Sequence, residues 1–295
     1  MPNTIDRRAA LGMLLAAPSL IGRAMAEPGG VNQATSVAMR APAAAPMVAP
    51  QAAVVQAAAP AQPQVQQAAA AQSGITLLYC GDSLAQGLYL YTQPPLRRRS
   101  AVRVVNGTRH ATGLTRSDEW DWVQVARENV VRNQPDLMLA WIGANDFRPL
   151  VDRGARARYQ FGTPAFAEAY GAKVAAMTKD ARERGVTVAW IGLPNMRDNA
   201  FAGAARKLNE IQEAAARSAG ALWVPSWDAT SDTAGHFRPS LPGPGQTERR
   251  FRADDGVHFS ELGYRAIAQL AFASIAAQLP AFNEAMSVAA EAVGV

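Results

Sequence analysis

The chain has 295 residues, of which 49% are hydrophobic and 18% are charged, which is enough for one sizeable folded domain. Its single cysteine, Cys80, excludes a disulfide scaffold and a cysteine-based zinc site, and its three histidines argue against a multi-histidine metal site. The formal net charge of +5 is small and the two signs are interspersed, so charge indicates no nucleic-acid partner.

An export signal is indicated at residues 1–26. Arg7 and Arg8 precede an apolar run over 9–21, and the Ala-Met-Ala at 24–26 forms a small-x-small cleavage pattern. The run is shorter than the roughly 18 apolar residues that cross a bilayer, as is every other apolar run in the sequence. We therefore expect an exported protein, periplasmic or secreted, with no stable membrane span after the signal is cleaved.

The same arginine pair bears on the route of export. It resembles a twin-arginine signal, with Leu11 in the expected place but Ala10 where Phe is usual. An uncleaved amphipathic anchor is the alternative. Pro18 inside the apolar run argues against the long helix that such an anchor needs.

Residues 27–73 are of low complexity. Of these 47 residues, 17 are Ala, 8 are Gln and 6 are Pro, and none is Trp, Tyr, Phe, Leu or Ile. Such a segment cannot bury enough apolar surface to offset the entropy that it loses on ordering. We expect a disordered linker here, ahead of a folded domain at 74–295.

The pattern changes at residue 74 to short apolar runs that alternate with amphipathic segments. The apolar runs predict buried strands at 75–80, 101–105, 137–142, 186–191 and 221–224. The amphipathic segments predict helices at 118–133, 164–184, 199–219 and, after a long loop at 228–257, at 260–279. This alternation predicts a parallel sheet covered by helices on both faces. Ligands of such sheets bind at the carboxyl ends of the strands.

The first strand is followed by Gly81, Asp82 and Ser83. A serine at a strand-to-helix turn can direct its hydroxyl into the crevice. Its N–H lies at a helix N-terminus, where an oxyanion is stabilised. The alternative is that Asp82 or Ser83 only caps the following helix.

Two later segments offer hydrogen-bond donors at the same edge of the sheet. After the second strand, Gly113 can bring its backbone N–H close to a ligand because it has no Cβ. After the third strand, Asn145 offers a side-chain amide. For both residues the alternative is an ordinary turn position.

An acid and a histidine precede the last predicted helix. Asp255 stands three residues before His258, and on a turn this spacing lets the carboxylate accept a hydrogen bond from one imidazole nitrogen. The other nitrogen is then free to take a proton from a serine hydroxyl. A structural histidine near a helix start is the alternative.

Together and in this order, these segments resemble the SGNH hydrolases, also called the GDSL esterase family. The family's Gly-Asp-Ser, Gly-x-Asn-Asp and Asp-x-x-His patterns are matched in full over residues 75–280, and for the glycine of the second block Gly113 fits best while Gly107 competes. The resemblance implies a three-layer α/β/α sandwich around a flavodoxin-like, five-stranded parallel sheet.

The resemblance also implies the roles of individual residues. Ser83, His258 and Asp255 are the expected catalytic residues. The N–H groups of Ser83 and Gly113 and the side chain of Asn145 are the expected oxyanion hole. Neither a metal ion nor an organic cofactor is required for this chemistry.

Residues near the expected rim of the crevice are candidates for substrate binding. They are Asp146, Arg116, Arg148 and Arg197. For the three arginines, solvation at the surface is the alternative.

The tryptophans and the cysteine have roles that can be stated briefly. Trp120 and Trp122 either stack on a sugar ring or pack as helix residues. Cys80 and three tryptophans in predicted strands, Trp141, Trp190 and Trp223, are expected in the core.

The segments at 112–118 and 190–197 resemble an exported bacterial branch of the family, in which many substrates are unassigned. The expected activity is hydrolysis of acyl esters, with an O-acetyl ester on an envelope or secreted polysaccharide as substrate. An O-acyltransferase with the same triad, a lipolytic esterase or thioesterase, and a non-catalytic glycan-binding protein are the alternatives. The sequence indicates no protein partner.

Overall fold

The structure is a computed structural model, and it describes residues 74–291 apart from 100, 153, 155 and 243–246. The predicted export signal at 1–26 and linker at 27–73 lie outside these residues and stay predictions. The strands are β1 (Ile75–Gly81), β2 (Val102–Thr108), β3 (Leu137–Trp141), β4 (Leu150–Asp152), β5 (Ala157–Tyr159), β6 (Thr187–Ile191), β7 (Leu222–Val224), β8 (Ser240–Pro242) and β9 (Glu248–Arg250). The helices are α1 (Ser83–Arg97), α2 (Trp122–Asn133), α3 (Pro164–Glu183), α4 (Asn199–Ser218), α5 (Glu261–Ala276) and α6 (Pro280–Glu291).

Five strands form one parallel sheet in the order β2-β1-β3-β6-β7, which confirms the predicted flavodoxin-like arrangement. The strands inside the sheet are predominantly apolar because helices cover both faces, and every residue of β3 is buried. The chain leaves β1 toward β2 on one side and later returns to β3 on the other. A crevice therefore opens beyond the carboxyl ends of β1 and β3, where ligands of such sheets bind.

The helices form a layer on each face of the sheet. On one face α1 contacts α5, and α6 packs on α5; on the other face α2 contacts α3, which contacts α4. The predicted three-layer sandwich is thus confirmed. The side chains expected in the core, Cys80, Trp141, Trp190 and Trp223, are buried. Across 74–291, no helix has both the length and the apolar character that crossing a bilayer demands.

Polar caps set where the helices begin. α2 begins at Trp122 rather than at the predicted residue 118, because the Asp121 side chain accepts hydrogen bonds from the N–H groups of Val123 and Gln124. α3 begins at Pro164 as predicted, with Thr163 as its cap.

The sequence pattern misses two hairpins and the last helix. β4 pairs with β5 and β8 pairs with β9, both antiparallel. Each of these strands has only three residues, which is too few for a two-residue period to be recognised. The helix predicted at 260–279 ends at Ala276, and α6 begins anew at Pro280, a residue favoured at the first position of a helix.

Helices α1 and α5 pack through a glycine. A Cβ added at Gly87 of α1 would lie 2.0 Å from a ring carbon of Tyr264 in α5. The Tyr264 ring is buried, stacks on Tyr91 with 5.5 Å between ring centres and meets Trp141 edge-on. This contact fixes α5 against α1, the helix that begins with Ser83.

We expect Gly87→Ala to lower the free energy of unfolding by about 1–3 kcal/mol, because the added methyl group displaces the Tyr264 ring. Gly203→Ala is a matched control. Gly203 lies in α4 with nothing within 4 Å of an added Cβ, so the substitution should stabilise the protein by about 0.5–1 kcal/mol through helix propensity. Urea unfolding measures both, and a Gly87→Ala protein as stable as the parent would contradict this packing.

Candidate active site

Ser83 is the first residue of α1, directly beyond the carboxyl end of β1. The turn before it requires glycine at position 81, where φ is +146° and an added Cβ would lie 2.0 Å from the Trp141 carbonyl oxygen. As the first helical residue, Ser83 has an N–H without an intrahelical acceptor. Its N–H therefore lies at the positive end of the helix dipole, beside the crevice.

The structure brings Ser83, His258 and Asp255 together from sites far apart in the sequence. Ser83 Oγ lies 2.7 Å from His258 Nε2, and His258 Nδ1 lies 2.6 Å from Asp255 Oδ2. The other carboxylate oxygen of Asp255 accepts hydrogen bonds from the N–H groups of Val257 and His258 at 2.8 and 2.9 Å. Such a chain can draw the proton from the serine hydroxyl toward the imidazole and stabilise the imidazolium that results.

The Asp255 carboxyl group ionises readily in this setting. Its partial burial raises the pKa, but the hydrogen bonds from the His258 side chain and from the N–H groups of His258 and Val257 outweigh that effect. The result is a pKa of about 2. Asp255 is therefore a carboxylate over the whole physiological range of pH.

Asp82 joins the turn after β1 to the turn after β3. It is fully buried, and one oxygen accepts a hydrogen bond from Leu84 N–H at 2.9 Å. The other oxygen accepts from Gly143 N–H at 2.9 Å and from Ala144 N–H at 3.0 Å. Burial raises its pKa to about 6 in spite of these three donors. Asp82 is thus more than the helix cap that the sequence suggests, since it also holds the segment that carries Asn145.

The residues expected to form the oxyanion hole come from three separate turns. Asn145 Nδ2 donates to the Thr112 carbonyl at 2.9 Å, so its side-chain amide lies beside Gly113. Gly113 is required because an added Cβ would lie 2.1 Å from Asp146 Oδ1. Gly107 lies within β2 opposite Cys80 and is not part of this turn. The structure therefore favours Gly113 over its competitor.

Asp146 differs from expectation. It is fully buried, and its oxygens accept hydrogen bonds from the N–H of Leu114, the N–H and hydroxyl of Thr115, and the hydroxyl of Tyr170, all at 2.7–3.0 Å. Protein donors thus occupy the carboxylate that was expected to bind substrate. Asp146 instead positions the segment that carries Gly113.

The three rim arginines have different surroundings. Arg116 forms ion pairs with Asp118 at 2.8 Å and with Glu119, so its charge is neutralised within the protein. Arg148 is exposed, and its Nε donates to the Asn145 carbonyl at 2.7 Å. Arg197 is also exposed, and its guanidinium donates to the backbone carbonyl of Asp254. Of the described side chains, no group of three or more His, Cys, Asp and Glu lies together as a metal site.

Arg252 is a residue of this site that sequence reasoning misses. Its side chain is buried, with the Phe237 and Phe259 rings 4.8 and 4.3 Å from its guanidinium carbon. The guanidinium donates to four backbone carbonyls at 2.6–3.3 Å, those of Asn195, Gly256, Val257 and His258. Three of these carbonyls belong to the turn between Asp255 and His258.

The Arg252 guanidinium therefore fixes the acid–histidine turn to the segment that follows β6. Burial lowers its pKa to about 10, which leaves it charged at neutral pH. Five N–H donors in one plane can serve several carbonyls at once, as a lysine cannot. The one signal in the sequence is its position three residues before Asp255, and a basic cluster such as 249–252 usually indicates solvated surface.

Comparison with known proteins agrees with this fold. The family model described as "Protein of unknown function (DUF459)" matches residues 76–274, a range that includes every catalytic and oxyanion-hole candidate. No curated protein matches the chain. Among solved structures, a catalytic mutant of an acetylxylan esterase from Geobacillus stearothermophilus is similar, with 16% identity, a TM-score of 0.50 and coverage of 68% of this chain and 94% of that one.

Two further solved structures are similar. A GDSL-like lipase from Bacteroides thetaiotaomicron has 17% identity, a TM-score of 0.48 and coverage of 68% of this chain and 88% of its own. The psychrotrophic esterase EstA from Pseudoalteromonas sp. has 14% identity, a TM-score of 0.47 and coverage of 70% and 98%. At these identities a likeness concerns the fold alone, and the sheet order together with the likeness to the acetylxylan esterase confirms the expected α/β/α fold.

We expect Arg252→Met to lower kcat of the expected ester hydrolysis at least tenfold with little change in KM, because four carbonyls each lose one donor and the histidine turn loosens (each lost buried bond costs about 1–3 kcal/mol). Arg252→Lys should restore only part of this rate.

The ¹H NMR resonance of the proton between His258 and Asp255 should broaden or vanish in Arg252→Met. Arg265→Met, which removes an exposed partner of Glu261, is the control. An intact resonance with normal kcat would contradict the positioning role.

The Asp255 pKa predicts a dependence of stability on pH. Because folding lowers this pKa from about 3.9 to about 2, Asp255 stabilises the fold above pH 4 and loses this effect as the pH falls toward 2. Asp255→Asn should therefore lower the free energy of unfolding at pH 7 by up to about 1 kcal/mol, since the pair is half exposed and screened. Denaturant unfolding between pH 7 and 2.5 should show the difference shrinking. A constant difference would contradict the assignment.

Proposed function

Since this chain belongs to the DUF459 family of proteins of unknown function and has the fold of the SGNH hydrolases, we propose that it is a serine esterase that hydrolyses acyl esters. The observation that supports this most directly is the hydrogen-bonded chain from Ser83 through His258 to Asp255, with distances of 2.7 and 2.6 Å. Serine hydrolases use such a chain to activate the nucleophile.

In the first half of the proposed reaction, Ser83 Oγ forms a bond to the acyl carbon while His258 Nε2 takes the hydroxyl proton. The carbonyl oxygen becomes an oxyanion. The imidazolium then gives its proton to the ester oxygen, the bond between that oxygen and the acyl carbon breaks, and the alcohol leaves. An acyl group remains on Ser83.

In the second half, a water molecule attacks the acyl carbon and His258 takes one of its protons. The tetrahedral intermediate collapses, the proton returns to Ser83 Oγ, and the carboxylic acid leaves. Asp255 stays ionised through both halves, in keeping with its low pKa, and stabilises the imidazolium in each.

Three donors support the oxyanion in this proposal: the N–H of Ser83, the N–H of Gly113 and Nδ2 of Asn145. In the absence of substrate, Asn145 Nδ2 donates to the Thr112 carbonyl. An amide carries two N–H groups, so one can keep this bond while the other meets the oxyanion. The side chain is thus held in place before substrate binds.

We further propose that the acyl group is acetyl and that the alcohol belongs to an envelope or secreted polysaccharide. The predicted export signal at 1–26 supports this, since it would carry the domain to the compartment where such polymers lie, and the low-complexity linker at 27–73 would leave the domain free to reach them.

The test is hydrolysis of p-nitrophenyl acetate by the full chain. We expect Ser83→Ala to lower kcat at least about a thousandfold, because the nucleophile is lost. Asn145→Ala should lower kcat about 100- to 1,000-fold with a smaller change in KM, because its amide acts mainly in the transition state. Ser218→Ala, at the exposed end of α4, is the matched control and should behave like the parent.

Equal turnover by the parent and Ser83→Ala proteins would overturn the proposed nucleophile. If neither protein hydrolyses the ester but the parent passes acetyl to an added oligosaccharide, the activity is acyl transfer. Binding of glycans without either reaction would indicate a non-catalytic protein.

A further inference from the structure

Three arginines surround the proposed site, each attached to a different one of its segments. Arg109 follows β2, Arg148 follows Asn145 and Arg197 follows β6. All three are exposed, and none has an acidic partner among the residues that the structure describes. Because the carboxyl ends of parallel strands meet at one edge of the sheet, the three positive charges lie around the crevice that holds Ser83.

Arg148 is held next to the expected oxyanion hole. Its Nε donates to the Asn145 carbonyl at 2.7 Å, which leaves the two terminal nitrogens of the guanidinium for a ligand. With Gly113, Asn145 and Trp120 it lines a small cavity of about 20 Å³, room for one atom the size of an oxygen. The indole N–H of Trp120 is buried and lacks an acceptor in the described part of the chain.

Arg109 lies over the Trp120 ring. Its guanidinium carbon is 4.0 Å from the ring centre, and its backbone N–H donates to the Gly81 carbonyl, two residues before Ser83. The ring orients the cation without neutralising it, since an aromatic face supplies no negative charge. The terminal N–H groups of Arg109 thus stay available to a ligand beside the Trp120 ring.

Arg197 lies against the acid–histidine turn. Its backbone N–H donates to the Gly256 carbonyl at 3.1 Å, and its guanidinium donates to the Asp254 carbonyl at 2.7 Å. Asp254 itself pairs with Arg250, and Asp255 is engaged by His258. Asp254 and Asp255 thus have other partners, and among the described residues neither forms an ion pair with Arg197.

An exposed aromatic ring lies at the same edge of the sheet. Phe201, in the first turn of α4, is 46% exposed and lies 5.3 Å from Phe147, two residues after Asn145. Two other large hydrophobic residues are exposed in the described part of the chain, Leu90 within α1 and Val131 near the end of α2. Phe201 is thus the exposed apolar surface that lies beside the site.

We propose that the ester substrate is carried on an anionic polysaccharide. Carboxylate or phosphate groups along the polymer pair with Arg109, Arg148 and Arg197, and the face of a sugar ring lies on Phe147 and Phe201. Guanidinium groups bind such anions through paired N–H donors. This inference rests on the proposed function. Among the expected substrate-binding arginines, it replaces Arg116 with Arg109, because Asp118 and Glu119 neutralise the charge of Arg116.

The test compares polymers that carry the same acetyl ester but differ in charge: acetylated polygalacturonate, an acetylated sugar-phosphate polymer and neutral acetylated xylan. With the full chain, kcat/KM should be at least about tenfold higher on one of the anionic polymers than on xylan at low salt. The preference should shrink in 1 M salt, where the Debye length falls to about 3 Å. A preference for polygalacturonate would identify carboxylate as the bound group, and a preference for the sugar-phosphate polymer would identify phosphate.

Arginine variants locate the preference. Arg109→Met, Arg148→Met and Arg197→Met should each reduce the anionic-to-neutral ratio of kcat/KM about three- to tenfold, mainly through KM, as the loss of one partly exposed charged contact implies. Arg132→Met, which removes an exposed charge at the end of α2, should leave the ratio as it is.

Binding to the full-length Ser83→Ala protein gives a readout that does not need turnover. Its Kd for deacetylated galacturonate oligomers or for deacetylated sugar-phosphate oligomers should be at least about tenfold lower than for xylo-oligosaccharides. Equal affinity for all three kinds of oligomer, or equal kcat/KM on all three polymers, would overturn the anionic substrate while leaving an esterase intact. Failure of Ser83-dependent turnover on every ester, with the binding preference kept, would instead overturn the proposed hydrolysis.

Discussion

The site depends on one buried carboxylate, that of Asp82. It accepts hydrogen bonds from the start of α1 and from the turn after β3, so the segments that carry Ser83 and Asn145 cannot move apart without leaving a buried acceptor unpaired. Asp146 acts in the same way. It accepts hydrogen bonds from the N–H groups of Leu114 and Thr115, and so ties the Asn145 segment to the Gly113 segment. Two buried carboxylates whose oxygens accept from protein donors thus hold the segments that carry the proposed oxyanion donors.

The acid–histidine turn is held by the opposite charge. The carboxylates of Asp82 and Asp146 accept hydrogen bonds from backbone N–H groups of turns. The guanidinium of Arg252 instead donates hydrogen bonds to backbone carbonyls of loops. Each ion satisfies backbone groups that are left over by secondary structure. The site is thus assembled from irregular segments, yet its polar backbone is largely paired.

The sequence predicts the sheet well, and it identifies the residues that the structure brings together at the candidate site, because each depends on a local pattern. Apolar runs mark the strands, and Gly-Asp-Ser and Asp-x-x-His stand directly after a strand or before a helix. What it misses depends on contacts between distant segments. The burial of Asp146 follows from Tyr170 on α3, and the role of Arg252 follows from the carbonyl of Asn195 beyond β6. Three-residue strands fall below the length at which periodicity is visible.

The separation of the nucleophile from its base has a consequence for biosynthesis. Ser83 and His258 are 175 residues apart, and the turn that carries His258 is held to the remainder through α5, the last helix but one. A growing chain that has completed all five strands of the parallel sheet therefore still lacks its proposed base. Contacts of such long range form late in folding. The proposed triad can accordingly close only after the chain has been made as far as His258, when the whole parallel sheet is already complete.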